Sequence, residues 1–217
     1  MDYGEAFEAL GEFVGGDLAS TLSQFEHSLR RTSVDDLPDV LADWGVSDRL
    51  LENAGHVKRL AGQVNVAIHA LGIALCLPHI LGPGESVVDV SLGAGNAGRA
   101  FDLETNLRVA EFKFITWRGA DAVRQNSLFK DFYKLAEYER DKSKHLYVLG
   151  TEYPLRFLEG GRSVSTVINN AKMLAEFRRK YPECTRVRDY YCLNSMRVSV
   201  EDVTPLVPGL VERATDF

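Results

Sequence analysis

The sequence predicts an α/β fold: a central mixed four-stranded sheet flanked by helices, with a helical N-terminal extension and a C-terminal helix plus strands. Three observations predict it. Residues 55–150 carry hydrophobic periods in the order helix, strand, strand, strand, helix, strand. The first fifty residues show helical spacing and no strand-like run. The chain has 217 residues, 45% of them apolar, enough for one well-filled core. The expected division is an acidic helical extension over residues 1–50, packed on the core, and an α/β domain over 51–217 with its core at 55–150.

In chain order, Asp17 is placed to cap a helix that carries Leu18, Leu22, Phe25 and Leu29 on one face. Ser33 precedes a second helical spacing at Leu37, Val40 and Leu41, and Gly45 ends it. From Leu50 to Ile80 apolar residues lie on most sides (Val57, Leu60, Val64, Ile68, Leu71, Leu75), the pattern of a buried helix. Pro78 and the Gly82-Pro83-Gly84 run stop it. Ser86–Leu92, Ala100–Glu104 and Arg108–Trp117 read as strands, with turn chemistry at Thr105 and Asn106. Asp121 caps a helix to about Arg140. His145–Leu149 is a fourth strand, Ser163–Lys180 a further helix, and Thr185–Val200 a terminal strand pair.

Composition excludes several classes. With 18 Gly and 7 Pro scattered through it, the chain is neither collagen-like nor of low complexity. The apolar stretch Val64–Leu81 contains Asn65, His69, Pro78 and His79 and falls short of a membrane span. Three cysteines without a CxxC pair suit neither a disulfide scaffold nor a four-ligand zinc site. A soluble, cytoplasmic protein is expected. The net charge is −6, unevenly spread. Residues 1–50 hold 3 Lys/Arg against 11 Asp/Glu, residues 99–144 hold 10 against 8, and residues 156–197 hold 9 against 4. A phosphate backbone would be repelled by the first segment and attracted by the other two.

Two motifs compete. GAGNAG, Gly93–Gly98, follows a strand and satisfies GxGxxG. With VVDVSL before it, it resembles the first motif of S-adenosylmethionine-dependent methyltransferases, in which Asp89 would open the turn and Glu111 would hold ribose hydroxyls. That reading needs residues 97–107 to be a helix on a parallel sheet, and AGRAFDLETNL is a poor helix for the purpose.

The second motif is Asp102, Glu111 and Lys113. In a hairpin that turns at Thr105–Leu107, pairing Asp102 with Glu111 places both carboxylates and Lys113 on one face. Phe101, Leu103, Phe112 and Phe114 then lie on the other. Two carboxylates so close remain ionised when a cation sits between them. Mg²⁺ suits such oxygen ligands and can clamp a phosphate and acidify a water, with Lys113 positioned to activate that water or stabilise charge.

GRAFDLETNLRVAEFKF, Gly98–Phe114, set in its helix–strand–strand–strand–helix–strand context, resembles the PD-(D/E)XK nuclease superfamily. The resemblance implies a restriction-endonuclease-like fold and Mg²⁺- or Mn²⁺-dependent hydrolysis of phosphodiester bonds in nucleic acid, DNA in the first instance. It implies metal ligation by Asp102, Glu111 and the Phe112 carbonyl, with Lys113 as the catalytic lysine. Ala100-Phe101 departs from the motif's Pro. Gln125 matches a helix glutamine that some members place near the metal, although Phe129 stands where those have Tyr. Glu52, Gln63 and Asn65 are the candidates for a first-helix ligand.

Asn126, Lys130 and Lys134 recur at i, i+4 on the helix that follows Asp121 and, with Arg118 and Arg124, are candidates for phosphate contact. The alternative is a solvated helix face with Asp131 and Glu137 as partners. Arg178, Arg179, Lys180, Arg186 and Arg188, interleaved with Tyr181, Tyr190 and Tyr191, are candidates for backbone contact and base stacking. His56, His69, His79 and His145 show no metal-ligand spacing and read as structural. Two alternatives stay open: a catalytically inactive nuclease-like module that binds nucleic acid or protein, and the methyltransferase-like domain. A homodimer, or a protein partner at the acidic N-terminal region, stays open as well.

Overall fold

The computed structural model describes residues 2–30, 32–93, 99–117 and 121–210. Arg118 and residues 94–98 of the glycine motif lie outside them. The chain divides into two compact units, Met1–Asn65 and Val66–Phe217, where the sequence suggested a division at residue 50. The division falls inside a 33-residue helix.

The first unit contains α1 (Tyr3–Val14), α2 (Leu18–Leu29), α3 (Leu37–Asp43) and the beginning of α4 (Asp48–Ile80). Asp17 caps α2 as expected, accepting from Ala19 and Ser20 N–H, and Asp2 caps α1 through Gly4 N–H. Phe25 and Trp44 pack with ring centroids 5.2 Å apart.

The second unit is built on a mixed five-stranded sheet in the order β1 (Val87–Val90), β2 (Leu103–Thr105), β3 (Arg108–Lys113), β4 (Ser143–Val148), β5 (Ser199–Asp202). The first three strands pair antiparallel; β3–β4 and β4–β5 are parallel. A parallel pair needs a crossover: α5 (Ala122–Ala136) links β3 to β4, and α6 (Glu152–Leu158), α7 (Val164–Val167), α8 (Ala171–Lys180) and α9 (Val187–Asn194) separate β4 from β5.

The core lies in two layers, one on each face of the sheet. Ile73 and Cys76 of α4 pack with Leu103, Ala110, Phe112, Phe114 and Tyr147. On the opposite face, Leu128, Phe129, Phe132 and Leu135 of α5 pack with Val109, Leu146 and Val148. The period of two along β3 therefore sends Ala110 and Phe112 toward α4, and Val109, Glu111 and Lys113 toward α5. The start of β3 is fixed by Glu85, whose buried carboxylate takes Arg108 through both Nε (2.5 Å) and Nη2 (2.6 Å) and the Thr105 hydroxyl at 2.6 Å.

Several expectations need correction. The sheet has five strands, not four. The expected strand pair at 185–200 is α9 followed by β5, because Asp189 accepts from Thr185 and Arg186 N–H and starts a helix whose Tyr190 is buried. The single helix expected at 163–180 is broken at Ile168–Asn170, where the Asn170 side chain caps α8 through Met173 N–H. Residues 99–107 contain no helix. They run into β2, and Asp102 C=O accepts from Ser91 N–H at 2.8 Å, so the helix required by the glycine-loop cofactor reading is missing from these residues. Finally, α4 is not buried on most sides. Gly72, Ile73 and Cys76 are buried, while Leu71 and Leu75 are 64% and 59% exposed. Among the described residues it is the one helix long and apolar enough to cross a membrane by length and composition.

Gly72 sets how closely α4 approaches β3: a Cβ there would meet the Phe114 ring at 2.7 Å. Gly72→Ala is therefore expected to lower stability by about 1–3 kcal/mol in urea titration, despite alanine's better helix propensity. A Phe114→Leu background should remove most of that penalty; equal losses in both backgrounds would contradict this packing.

Candidate active site

The β2–β3 turn closes on Thr105, whose hydroxyl accepts from Leu107 N–H at 3.0 Å and Arg108 N–H at 2.8 Å. This sets the register Leu103↔Ala110 and Glu104↔Val109. One step further along the same ladder, Asp102 falls opposite Glu111, the pairing expected from the sequence. At that point β2 has ended and a side chain replaces the backbone ladder: Asp102 Oδ2 accepts from Phe112 N–H at 2.9 Å. The chain's turn away from β2 also corrects the expected position of Phe101. Leu103 packs on the α4 side, but Phe101 packs on the α5 side, against Tyr138 with ring centroids 5.0 Å apart.

Asp102, Glu111 and Lys113 come together with three further groups. Asp102 Oδ1 lies 3.3 Å from His69 Nε2 of α4. Glu111 Oε1 accepts from Lys134 Nζ at 2.6 Å. Lys113 Nζ lies 2.5 Å from Asp131 Oδ2. Lys134 and Asp131 are three residues apart on α5, so one helical face serves both neighbours of β3. Lys134 Nζ also sits 4.8 Å over the Phe101 ring.

The electrostatics follow from burial and from a charge shortfall. Fully ionised, Asp102, Glu111 and Asp131 would carry three negative charges against the two ammonium groups of Lys113 and Lys134. Glu111, its side chain 6% exposed, bears the consequence. Burial, then the Asp102 and Asp131 charges, push it up to about 8 against the pull of Lys134. Burial also works against Asp102, but hydrogen bonds from His69, the Phe112 N–H and the Glu111 carboxyl outweigh it and hold Asp102 below its ordinary value. Burial opposes the charge on Lys113, yet Asp131 outweighs it and keeps the ammonium protonated beyond its usual range.

Beside Lys113 opens a cavity of about 180 Å³ with mostly apolar walls, among them Ile115, Val123 and Leu149. Arg124 lines it too, tied by Nη1 to Thr116 C=O at 2.6 Å and by Nε to Asp121 at 3.2 Å. The other expected residues go elsewhere. Gln125 accepts from Arg162 and is not among the partners of the carboxylates. Asn126 and Lys130 line a different cavity, against α7 and α8. Lys134, expected to face phosphate, faces Glu111. Asp131 is buried, not a solvated partner. Glu137 holds Lys180 and the Tyr181 and Tyr190 hydroxyls, so Tyr190 is core and unavailable for base stacking. Arg118 lies outside the described residues.

Sequence reasoning missed His69 and Asp131 as site residues, and both carried a signal. His69 falls at i, i+4, i+7 with Ile73 and Cys76 on the buried stripe of α4. Asp131 stands three residues after Leu128 and four before Leu135, on the apolar face of α5. A charge or imidazole on a buried stripe marks a paired group. The chain matches no family model, no curated protein and no solved structure.

The Glu111 shift has a stability consequence. Its folded-state pKa near 8 lies above the ordinary 4.5, so the native state keeps a proton that the unfolded chain has lost between those pH values. The stabilising contribution is complete below about pH 4.5 and is lost as pH rises through 8. Wild-type Tm should therefore fall from pH 5 to 8.5. Glu111→Gln should flatten that slope and melt higher at pH 8.5, by roughly 2–4 °C per kcal/mol recovered. Parallel profiles for the two proteins would contradict the assignment.

Proposed function

We propose that the second unit hydrolyses phosphodiester bonds in nucleic acid, DNA in the first instance, with Mg²⁺ or Mn²⁺ held by Asp102, Glu111 and the Phe112 carbonyl. The observation that carries this reading is the meeting of the Asp102 and Glu111 carboxyls, joined by a side-chain hydrogen bond just beyond the end of β2, with Lys113 on the same face of β3 as Glu111. The element order supports it: α4, β1, β2, β3, α5, β4 is the helix–strand–strand–strand–helix–strand order in which the PD-(D/E)XK resemblance is set.

The donor set fits a hard divalent ion. Among the described residues no three His, Cys, Asp or Glu side chains form a metal-binding group. Mg²⁺ asks for less: one or two carboxylates, with water and phosphate oxygens for the rest. The Phe112 N–H faces Asp102, and in a strand the C=O of the same residue points to the same side. When bound, the ion would supply Lewis-acid stabilisation of charge on the phosphate.

The chain's own residues supply the remainder. Asp102 is already ionised and oriented by Phe112 N–H and His69. Lys113, kept protonated and fixed by Asp131, acts as a cation for the phosphate's developing charge more readily than as a base. Lys134 donates to the Glu111 carboxyl; with an ion held there it would be free to meet a phosphate oxygen instead.

Labelled single- and double-stranded oligonucleotides with Mg²⁺ test this. Asp102→Asn and Glu111→Ala should each reduce cleavage at least about 100-fold with the fold intact by circular dichroism, and Asp131→Asn about tenfold through misplacement of Lys113. Undiminished cleavage by Glu111→Ala would overturn the proposal. One observation favours a second reading, a silent nucleic-acid-binding module: Glu111 and Lys113 already have oppositely charged partners. Its signature is oligonucleotide binding without hydrolysis in Mg²⁺ or Mn²⁺.

A further inference from the structure

A cavity of about 590 Å³ lies between α5 and the segment joining α7 to α8, within the size range of small-ligand sites. It exists because Asn169 and Asn170 interrupt what the sequence suggested was one helix. Its apolar lining comes from Phe129, Ile168 and Met173, and its polar lining includes three amide side chains: Asn126, Asn169 and Asn170. Asn170 spends its oxygen on Met173 N–H. Asn126 also lines the cavity, but its Oδ1 is sealed from solvent, without a hydrogen-bond donor, so that oxygen is not offered to a ligand.

The charge around the cavity is unspent. Lys130 and Lys172 line it, and among the described residues neither lies in an ion pair. Glu176 is the one acid in the lining. Asn169, exposed and with no side-chain hydrogen bond among the described residues, offers the paired donor and acceptor that match the edge of a nucleobase, the half-buried Met173 suits the face of a base, and the free lysines suit its phosphate. A phosphorylated side chain would use the lysines and leave the Asn169 amide without a task.

Position links this cavity to the carboxylate cluster. Asn126, Lys130 and Lys134 follow one another at i, i+4 along α5, and Lys134 meets Glu111. The rise from Asn126 to Lys134 is roughly 12 Å, a few nucleotides of a strand laid along the helix. We propose that the α5–α7–α8 cavity is a nucleotide subsite, taking one base with its phosphate from a strand whose backbone crosses Lys130 toward Glu111. Its place along the strand rests on the phosphodiesterase reading; its affinity for a nucleotide does not.

The test is NMR of the ¹⁵N-labelled full chain in EDTA, titrated separately with the four deoxynucleoside monophosphates, inorganic phosphate and O-phosphoserine. A mononucleotide should shift the Asn126 and Asn169 side-chain amides and bind at least about tenfold tighter than phosphate or phosphoserine. Asn169→Ala with Lys172→Ala should remove that preference; both residues are exposed, so the fold should tolerate the change. Equal affinity for phosphate would reduce the site to an anion site and overturn the proposal, as would equal affinity for phosphoserine, or shifts confined to the Asp102 cluster, or no shift at all. Nucleotide binding without Mg²⁺-dependent cleavage would leave the subsite standing and remove the hydrolase; cleavage without nucleotide shifts would do the reverse.

Discussion

The constraint on which the second unit depends is the alignment of β2 with β3. One hydroxyl, Thr105, closes the turn, and one ion pair, Glu85 with Arg108, anchors the start of β3. A slip of one residue would send Glu111 and Lys113 into the α4 layer against Ile73 and Cys76, and bring Phe112 and Phe114 to the α5 side. Burial of two phenylalanines and protection of two charges thus select the same register. The site is a by-product of packing as much as of chemistry.

That alignment brings together more negative charge than the neighbouring lysines neutralise. The network answers in three ways: it holds a proton on Glu111, lends Lys134 to the same carboxylate, and fixes Lys113 on Asp131. Each is what burial demands of an ionisable group without water. On the proposed function, the same shortfall would favour a cation, which would compete with one proton and one lysine. On that reading the site is closed by exchangeable partners, not by covalent or steric means.

Much of the fold was legible because β3 alternates so cleanly. Val109 to Phe114 shows two apolar faces interrupted by one acid and one lysine, and the turn residues beside it fixed the partner strand. What escaped the sequence did so for identifiable reasons. His69 and Asp131 sit on stripes otherwise read only for apolar content. Phe101 obeyed a period that had already ended, because β2 begins at Leu103. The apolar residues of α4 suggested burial all round, whereas one narrow stripe suffices to cover the sheet. Asn170 looked like a mid-helix residue and is a cap. Tyr190, read as an exposed aromatic, fills the core beneath α5. In the last two cases local pattern was right about chemistry and wrong about direction, which only the tertiary arrangement decides.

The central claim is that Asp102 and Glu111 share a buried space in which carboxylates outnumber lysines, and that a divalent cation fits there. The most direct measurement is a pH titration of the Glu111 carboxyl carbon by ¹³C NMR, with and without Mg²⁺. Without the ion, the resonance should titrate near 8; with saturating Mg²⁺, it should fall to the ordinary carboxylate range or below. A midpoint near 4.5 that Mg²⁺ does not move would contradict the account.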